Sequence, residues 1–498
     1  MKRKTKSYVV LGILAISASV LFTHKQVKAD ITPKQQELII KHVEEKQTDF
    51  VPGQLIVGMT PSVPLDSSNR KNDNLFGINA KIVEDLSLEK VTKDRQNNQV
   101  LLIEFDTEIE ISQAIETLIA LPEVEYAEPN YIVKMDDTDA KGLSSLSNTL
   151  ASANNNLIIP NDDNWWRMWG LAKIDMPSVW GQTTGSKNVK VAVIDSGIDY
   201  NHEDLKDNVQ VELGYDFVDN DTNPNDGHGH GTHVAGTIGA KGNNRIGIPG
   251  INWDITLVPI RVLNNANSGT SANFVKGINW ATDKNIPLIN YSIQSTGYNY
   301  SIEQAITNYP GLFIACAGNY GQDYSSLPIY PASLNISNMI SVGNSNAADQ
   351  RSSKSSYSKT GVDLFAPGES IYSTKPGNQY DYDTGTSMAT PHVTGSAALA
   401  LSQNSSLSTK ELKDSILESV DKIDTLKELC QTGGRLNTSN LLRLTGDISS
   451  NPSDTWDKDK TYWGGDRVIY NGKQYEAKWW NKNSQPDQSG ENGPWKLV

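Results

Sequence analysis

The centre of this 498-residue chain is predicted to be an α/β domain, with a mainly parallel sheet carrying helices on both faces. Three observations predict it. From residue 160 to 446, short apolar runs recur: "VKVAVID" (189–195), "ITLVPIRVL" (255–263), "IPLINYSI" (286–293), "GLFIACAGN" (311–319) and "NMISVGN" (338–344). Stretches of helical spacing, such as "SANFVKGINWATDK" and "SIEQAITNY", separate several of them. The flanks differ in composition from this core, so a small α+β unit is expected before it and a small all-β module after it.

In chain order, "MKRKTK" followed by the apolar run "YVVLGILAISASVLF" (8–22) and "VKA" (27–29) has the form of a signal peptide over 1–29. The run is short for a membrane span, and the mature protein is expected to be secreted and free of the membrane. Residues 30–134 follow, with strands at "GQLIVGM" and "QVLLIEF" and a helix at "EISQAIETLIAL". The Ser-, Asn- and Asp-rich stretch 135–159 is a processing linker exposed to proteolysis. After the central domain, 447–454 is a second linker. Residues 455–498 hold Trp456, Trp463, Trp479, Trp480 and Trp495 among the chain's eleven tryptophans.

A net charge of −14 argues against nucleic acid or an anionic membrane as partner. Cys316 and Cys430 are too few for a disulfide framework; they form one bridge or stay free, and Cys316 in "LFIACAG" reads as a buried thiol. A monomer is expected.

The chemistry concentrates in two segments. "NDGHGHGTHVAG" (225–236) brings His228, His230 and His233 beside Asp226, which is either a metal cluster or one catalytic base with two bystanders. "GTSMATPHV" (385–393) sets Ser387 at the start of a small-residue helix, as a nucleophile near unpaired N–H groups or as an N-cap. Asp195 follows a buried strand directly, and pairing with a histidine N–H would offset part of its burial cost; capping the next turn is the other role open to it.

"VAVIDSGID" (191–199), "HGHGTHVAG" (228–236), "CAGN" (316–319) and "GTSMATPHV" together resemble the subtilisin-like serine peptidases over about 160–445, in that family's known order of Asp, His and Ser. The resemblance implies that Asp195 orients, His230 is the base and Ser387 the nucleophile, with Asn319 donating to the oxyanion. His233 is then structural and His228 idle. One departure stands out. The family commonly has Leu-Gly-Gly in the strand along the cleft, where this chain has Ile293, Gln294 and Ser295. With Cys316 on the facing strand and Ile329 near the pocket floor, a restricted pocket for small or medium apolar residues is expected.

"DFVDNDTNPND" (216–226) offers Asp216, Asp219, Asp221, Asn223 and Asn225 as oxygen donors, suited to Ca²⁺ or to a plain solvated loop. Its likeness to the calcium loop of thermitase-type subtilases favours the cation. "GNNRIGI" (242–248) resembles the family's tight calcium loop, implying ligands from Asn244, from the carbonyls of Gly242, Ile246 and Ile248, and from Asp204 with Asp162 or Asp163. Residues 50–134, ending in "VEYAEPNYIV", resemble the family's inhibitory propeptides, implying a ferredoxin-like unit that blocks the cleft until removed. In the tail, "YEAKWW" alternates, so Tyr475, Ala477 and Trp479 are expected inside and Trp480 outside. Nearly all of 455–498 resembles the small carbohydrate-binding modules of chitinases, with Trp480, Trp463 and Tyr462 as glycan contacts; the alternative is that the tryptophans only fill a core. The whole reads as a secreted, calcium-stabilised serine endopeptidase acting on protein or peptide substrates, held by its own propeptide and targeted to chitin or a related polysaccharide. A carbohydrate-binding surface protein with an inactive peptidase domain is the alternative.

Overall fold

A computed structural model describes residues 39, 49–60, 78–88, 99–135 and 157–446, and most of 456–497. The signal-like segment, the centre of the first linker, Trp463 and Trp480 lie outside the described residues. No described helix is long and apolar enough to cross a membrane.

The N-terminal unit is built from β1 (Phe50–Met59), β2 (Ala80–Asp85), β3 (Val100–Phe105), α1 (Ile111–Ile119) and β4 (Val124–Lys134). Its antiparallel order β2-β3-β1-β4 is that of a ferredoxin-like sheet, and α1 turns Ala114, Ile115 and Leu118 onto it. Leu55, Val57, Leu101 and Ile103 face this helix and form a core of their own with it.

The central domain contributes β5 (Gly185–Asp195), β6 (Tyr215–Asp216), α2 (His230–Gly239), β7 (Asp254–Arg261), β8 (Ser268–Thr270), α3 (Ser271–Asp283) and β9 (Leu288–Tyr291). Then come α4 (Tyr300–Asn308), β10 (Leu312–Cys316), β11 (Met339–Ser345), β12 (Leu364–Pro367), the hairpin β13 (Ile371–Lys375) and β14 (Gln379–Asp383), α5 (Thr386–Gln403), β15 (Asp421–Lys422) and β16 (Gly434–Arg435). The nine-stranded sheet runs β15-β16-β12-β11-β10-β9-β5-β7-β6 and is parallel except between β15 and β16. Its strands are apolar on both sides because both are covered. Along β5, Val191 and Val193 pack with α2 and α5, whereas Ala192 and Ile194 pack with α3 and α4.

The N-terminal unit docks against the second of these faces. Ile132, Val133 and Lys134 of β4 pair antiparallel with Thr270, Gly269 and Ser268 of β8. Glu128 is fully buried and accepts hydrogen bonds from the Tyr300 and Ser301 N–H groups (2.9 and 2.8 Å), capping α4. Asn130 Oδ1 accepts from Ala272 N–H (3.0 Å) at the start of α3. Burial pushes the Glu128 carboxyl up to about 7 despite these donors.

The tail forms two small sheets, β17 (Thr461–Tyr462) with β20 (Asn481–Lys482), and β18 (Arg467–Tyr470), β19 (Lys473–Ala477) and β21 (Trp495–Leu497). Two expectations fail here. Tyr462 is 1 % exposed, packs edge-on to Trp495 and accepts from the Asp457 N–H, so it is a core residue and not a glycan contact. Trp479 is 50 % exposed because β19 ends at Ala477, and the alternation that would have turned it inward stops there.

Candidate active site

Asp195 is the last residue of β5 and is fully buried, so its charge requires compensation. The Ser196 N–H donates to Oδ1 at 2.7 Å, and His230 Nδ1 lies 2.8 and 3.0 Å from the two carboxylate oxygens. With Nδ1–H donating, Nε2 of His230 keeps its lone pair, as a general base requires. Burial alone would lower the imidazole pKa. The Asp195 charge and hydrogen bond outweigh it, and His230 titrates above the ordinary histidine value.

The position of His230 is set by Asp226. One of its carboxylate oxygens accepts from Ser196 Oγ (2.9 Å) and the N–H groups of His228 (2.9 Å) and Gly229 (2.8 Å). The other accepts from Thr232 N–H (2.9 Å) and Oγ1 (2.6 Å). The N-terminus of α2 is thereby capped and tied to the turn after β5. Gly231 permits the approach: a Cβ there would lie 2.1 Å from the Gly197 carbonyl. His233 is fully buried, donates from Nε2 to the Ile371 carbonyl (3.0 Å), and is pushed down to about 4 by burial, so it stays neutral. His230 and His233 thus take different partners. Among the described residues, no group of three or more His, Cys, Asp or Glu side chains is placed to hold a metal ion.

Ser387 is the second residue of α5, where backbone N–H groups have no partner within the helix. Its Oγ donates to the Ser292 carbonyl (3.1 Å), and Ser292 Oγ donates back to the Ser387 carbonyl (2.9 Å). Asn319 lies just beyond β10. Its Oδ1 accepts from Thr386 N–H and Thr386 Oγ1, both at 2.9 Å, which leaves Nδ2 as a donor beside Gly385. Asp195, Asn319 and Ser292 all sit at carboxyl ends of parallel strands, where sites in such sheets form.

The cleft beside these residues holds the chain's own N-terminal unit. Beyond the β4–β8 pairing, Met135 N–H donates to the Asn267 carbonyl (2.9 Å), and the Gln294 N–H points at Met135 Sδ (3.4 Å). A pocket opens there, bordered by Tyr131, Val133, Ile293, Gln294, Ser295 and Tyr330. Cys316 and Ile329 do not border it. Both are fully buried, and Ile329 packs behind Gly318 with Tyr324 and Val362, so they support the cleft wall from within. Cys316 and Cys430 are free, and burial pushes the Cys316 thiol up to about 12, leaving it protonated.

The two cation loops differ. Asp204 is fully buried, accepting from Asn244 Nδ2 (2.9 Å), Ile248 N–H (2.9 Å) and Tyr380 OH (3.2 Å). Asp162 Oδ2 accepts from Asn243 N–H (2.8 Å), and its Oδ1 is buried with no hydrogen-bond partner. Burial raises both carboxyls, and the charge of Asp162 helps take Asp204 to about 7. Two buried acids with an orphaned oxygen, and with no paired Lys or Arg among the described residues, fit a hard cation. Asn244 turns its amide nitrogen toward Asp204, so offering its oxygen requires a flip. Asp163 is exposed. In the other loop, Arg261 Nη1 bridges Asp216 (2.5 Å) and Asp219 (2.6 Å), already neutralising two of the expected ligands, while Asp221, Asn223 and Asn225 are exposed.

Several positioning residues were hard to see in the sequence. Asp226 was visible only as a possible metal partner, although an Asp just before a helix is an ordinary cap signal. Thr386, Glu128 and Asn130 act across long sequence separations and carry no local signal.

Comparison with known proteins places these parts. The subtilase family model matches residues 186–446, the fervidolysin N-terminal prodomain model 40–130, and the carbohydrate-binding module family 5/12 model 455–496. Thermitase of Thermoactinomyces vulgaris is 41% identical over 268 residues, 53% of this chain and 92% of its own length. A thermophilic serine proteinase of Bacillus sp. (strain AK1) is 33% identical over 425 residues, 84% of this chain and 95% of its own. Subtilisin of Bacillus pumilus is 42% identical over 253 residues, 49% of this chain and 88% of its own.

Proposed function

The chain belongs to the subtilase family and is a serine endopeptidase with a prodomain and a carbohydrate-binding module, and from that premise we propose that it hydrolyses proteins through Asp195, His230 and Ser387. The observation that carries this reading is the buried Asp195–His230 pair, with Ser387 Oγ held by Ser292 just past β9, the strand that pairs with the strand of Asp195. His230 Nε2 takes the Ser387 proton as Oγ attacks the scissile carbonyl, and Asp195 stabilises the imidazolium that forms. The oxyanion receives the Asn319 Nδ2–H and the Ser387 backbone N–H. His230 then returns the proton to the leaving amine, and water repeats the sequence on the acyl-enzyme. For this, Ser387 Oγ must turn from the Ser292 carbonyl toward His230. A fluorophosphonate is expected to label Ser387 in the mature enzyme and abolish activity, while a zinc-selective chelator leaves activity intact. Labelling elsewhere with activity lost in step would sink the triad.

The domain limits belong to the same proposal: a signal over 1–29, a prodomain over 30–134, a processing linker over 135–159, a peptidase domain over 160–446, a linker over 447–454 and a glycan module over 455–498. Export follows from the signal, and the enzyme acts outside the cell as a monomer. The prodomain holds the cleft through the β4–β8 pairing and the caps from Glu128 and Asn130 until the linker is cut. Ile293, Gln294 and Ser295 then border a pocket for small or medium apolar side chains.

Calcium is a structural cofactor in this proposal. Asp162, Asp204, Asn244 and the carbonyls of Gly242, Ile246 and Ile248 would hold one ion. Asp216, Asp219, Asp221, Asn223 and Asn225 would hold a weaker one, because Arg261 competes for two of them. Chelation is expected to lower the melting temperature by roughly 5 °C, the scale of an ion bound well below its free concentration. Without the ion, the raised carboxyl of Asp204 favours the fold as pH falls below about 7 and opposes it as pH rises through that value. The chelator effect should therefore be larger at pH 8 than at pH 5.5. Equal melting with and without chelator at both values would dismiss the sites.

The tail targets chitin or a related polysaccharide, with Trp480, Trp463 and the exposed ring of Trp479 stacking on sugar faces. In the full chain carrying Ser387→Ala to prevent self-digestion, Trp479→Ala is expected to weaken retention on chitin about three- to tenfold, the scale of one aromatic contact. Unchanged retention would remove Trp479 from the binding face.

A further inference from the structure

We infer that Gln294 is a positioning residue for Asn319, holding the oxyanion donor in place from the cleft strand. The inference rests on the proposed oxyanion role of Asn319. Gln294 lies between Ile293 and Ser295 on the segment that follows β9. It is 4 % exposed, and its Oε1 accepts a hydrogen bond from the Asn319 backbone N–H at 2.7 Å. That is a short, half-buried bond joining the segments that follow β9 and β10.

The backbone under Gln294 is fixed by its neighbour. Ser295 N–H donates to the Tyr330 carbonyl (2.9 Å), and Tyr330 N–H donates to the Ser295 carbonyl (2.7 Å). The residue before Asn319 adds a second constraint. Gly318 has φ +101°, and its N–H donates to Thr386 Oγ1 (3.1 Å). A Cβ there would lie 2.7 Å from Ile329 Cγ2 and 3.1 Å from Gln294 Oε1. Asn319 is therefore gripped twice, at its main-chain N–H by Gln294 and at its side-chain oxygen by Thr386. Two grips on opposite ends fix the direction of Nδ2, and an oxyanion donor needs that direction set before reaction. Losing the Gln294 acceptor leaves a backbone donor at the cleft wall seeking water and lets Asn319 rotate.

Gln294→Met keeps the side-chain length and removes the acceptor. It is expected to lower kcat about three- to tenfold, the worth of one hydrogen bond, with KM changed less than twofold. The decisive comparison is the same substitution in an Asn319→Ala background, with turnover expressed per phosphonate-titrated active site of enzyme matured from the full chain. Gln294 acting through Asn319 predicts no further loss of kcat in that background. An equal loss in both backgrounds would show a general packing role and overturn the inference, as would an unchanged kcat in the single variant. Should Gln294→Met fail to fold, Gln294→Gly serves in the same cycle with the same criterion. Asn319→Ala alone tests the underlying proposal, with a loss of about 10²–10³ in kcat expected. If that variant keeps full turnover, the oxyanion assignment fails whatever Gln294 does.

Discussion

Ser387→Ala is expected to lower kcat by about 10⁶ with the fold intact, the scale on which subtilisin itself loses activity when its nucleophile is removed. The effect is large because, in the proposed mechanism, this hydroxyl forms the covalent intermediate, and its described neighbours Ser292 and Cys316 are poorly placed to replace it. Ser292 donates its own hydroxyl to the Ser387 carbonyl, and the Cys316 thiol is held protonated by burial. His230→Ala should cost about as much, and the double variant little more than either single one, since the pair acts as a unit. Turnover of a peptide ester by purified, folded variants gives the answer. Additive losses would mean that the two residues act independently.

Asp195→Asn is expected to lower kcat/KM about 10⁴-fold near neutral pH, because an amide facing Nδ1 favours the wrong imidazole tautomer. The pH profile supplies a second reading. In the proposed mechanism His230 works when neutral, so wild-type activity should fall as pH drops through its raised pKa. Burial opposes that rise, and the Asp195 charge together with its hydrogen bond produces it. Removing the charge leaves burial dominant, so the acidic limb of the residual activity should move to lower pH. A limb that stays in place would show that another group controls the titration.

Much of the fold was legible because it depends on local periodicity. Continuous apolar runs meant strands covered on both sides, and the separation of Val191 and Val193 from Ala192 and Ile194 onto opposite faces is the structural form of that pattern. Strand ends were less legible. Alternation in "YEAKWW" continues past the last paired residue, so Trp479 was assigned inward although β19 stops two residues earlier. Tyr462 is expected as a glycan contact only from the resemblance of the tail to sugar-binding modules, and nothing local reveals its contact with Trp495, thirty-three positions away.

The triad candidates were legible from motifs, and their supports were not. Arg261 reaches Asp216 from the far end of β7, and Thr386 reaches Asn319 across 67 positions. Gln294 was visible as a departure from the family pattern and read as an obstruction in the cleft. The structure also turns its carboxamide to Asn319, a contact that only the folded chain creates.

The five donors gathered by the Asp226 carboxylate have a consequence for how this enzyme loses activity with heat. They tie the strand bearing Asp195 to the helix bearing His230 across the intervening segment of some thirty residues. Loosening of its exposed stretch, residues 219–223, should leave the Asp195–His230 pairing in place. Inactivation should then follow the collapse of the whole domain in one step, with no earlier phase in which a folded enzyme has drifted out of tune.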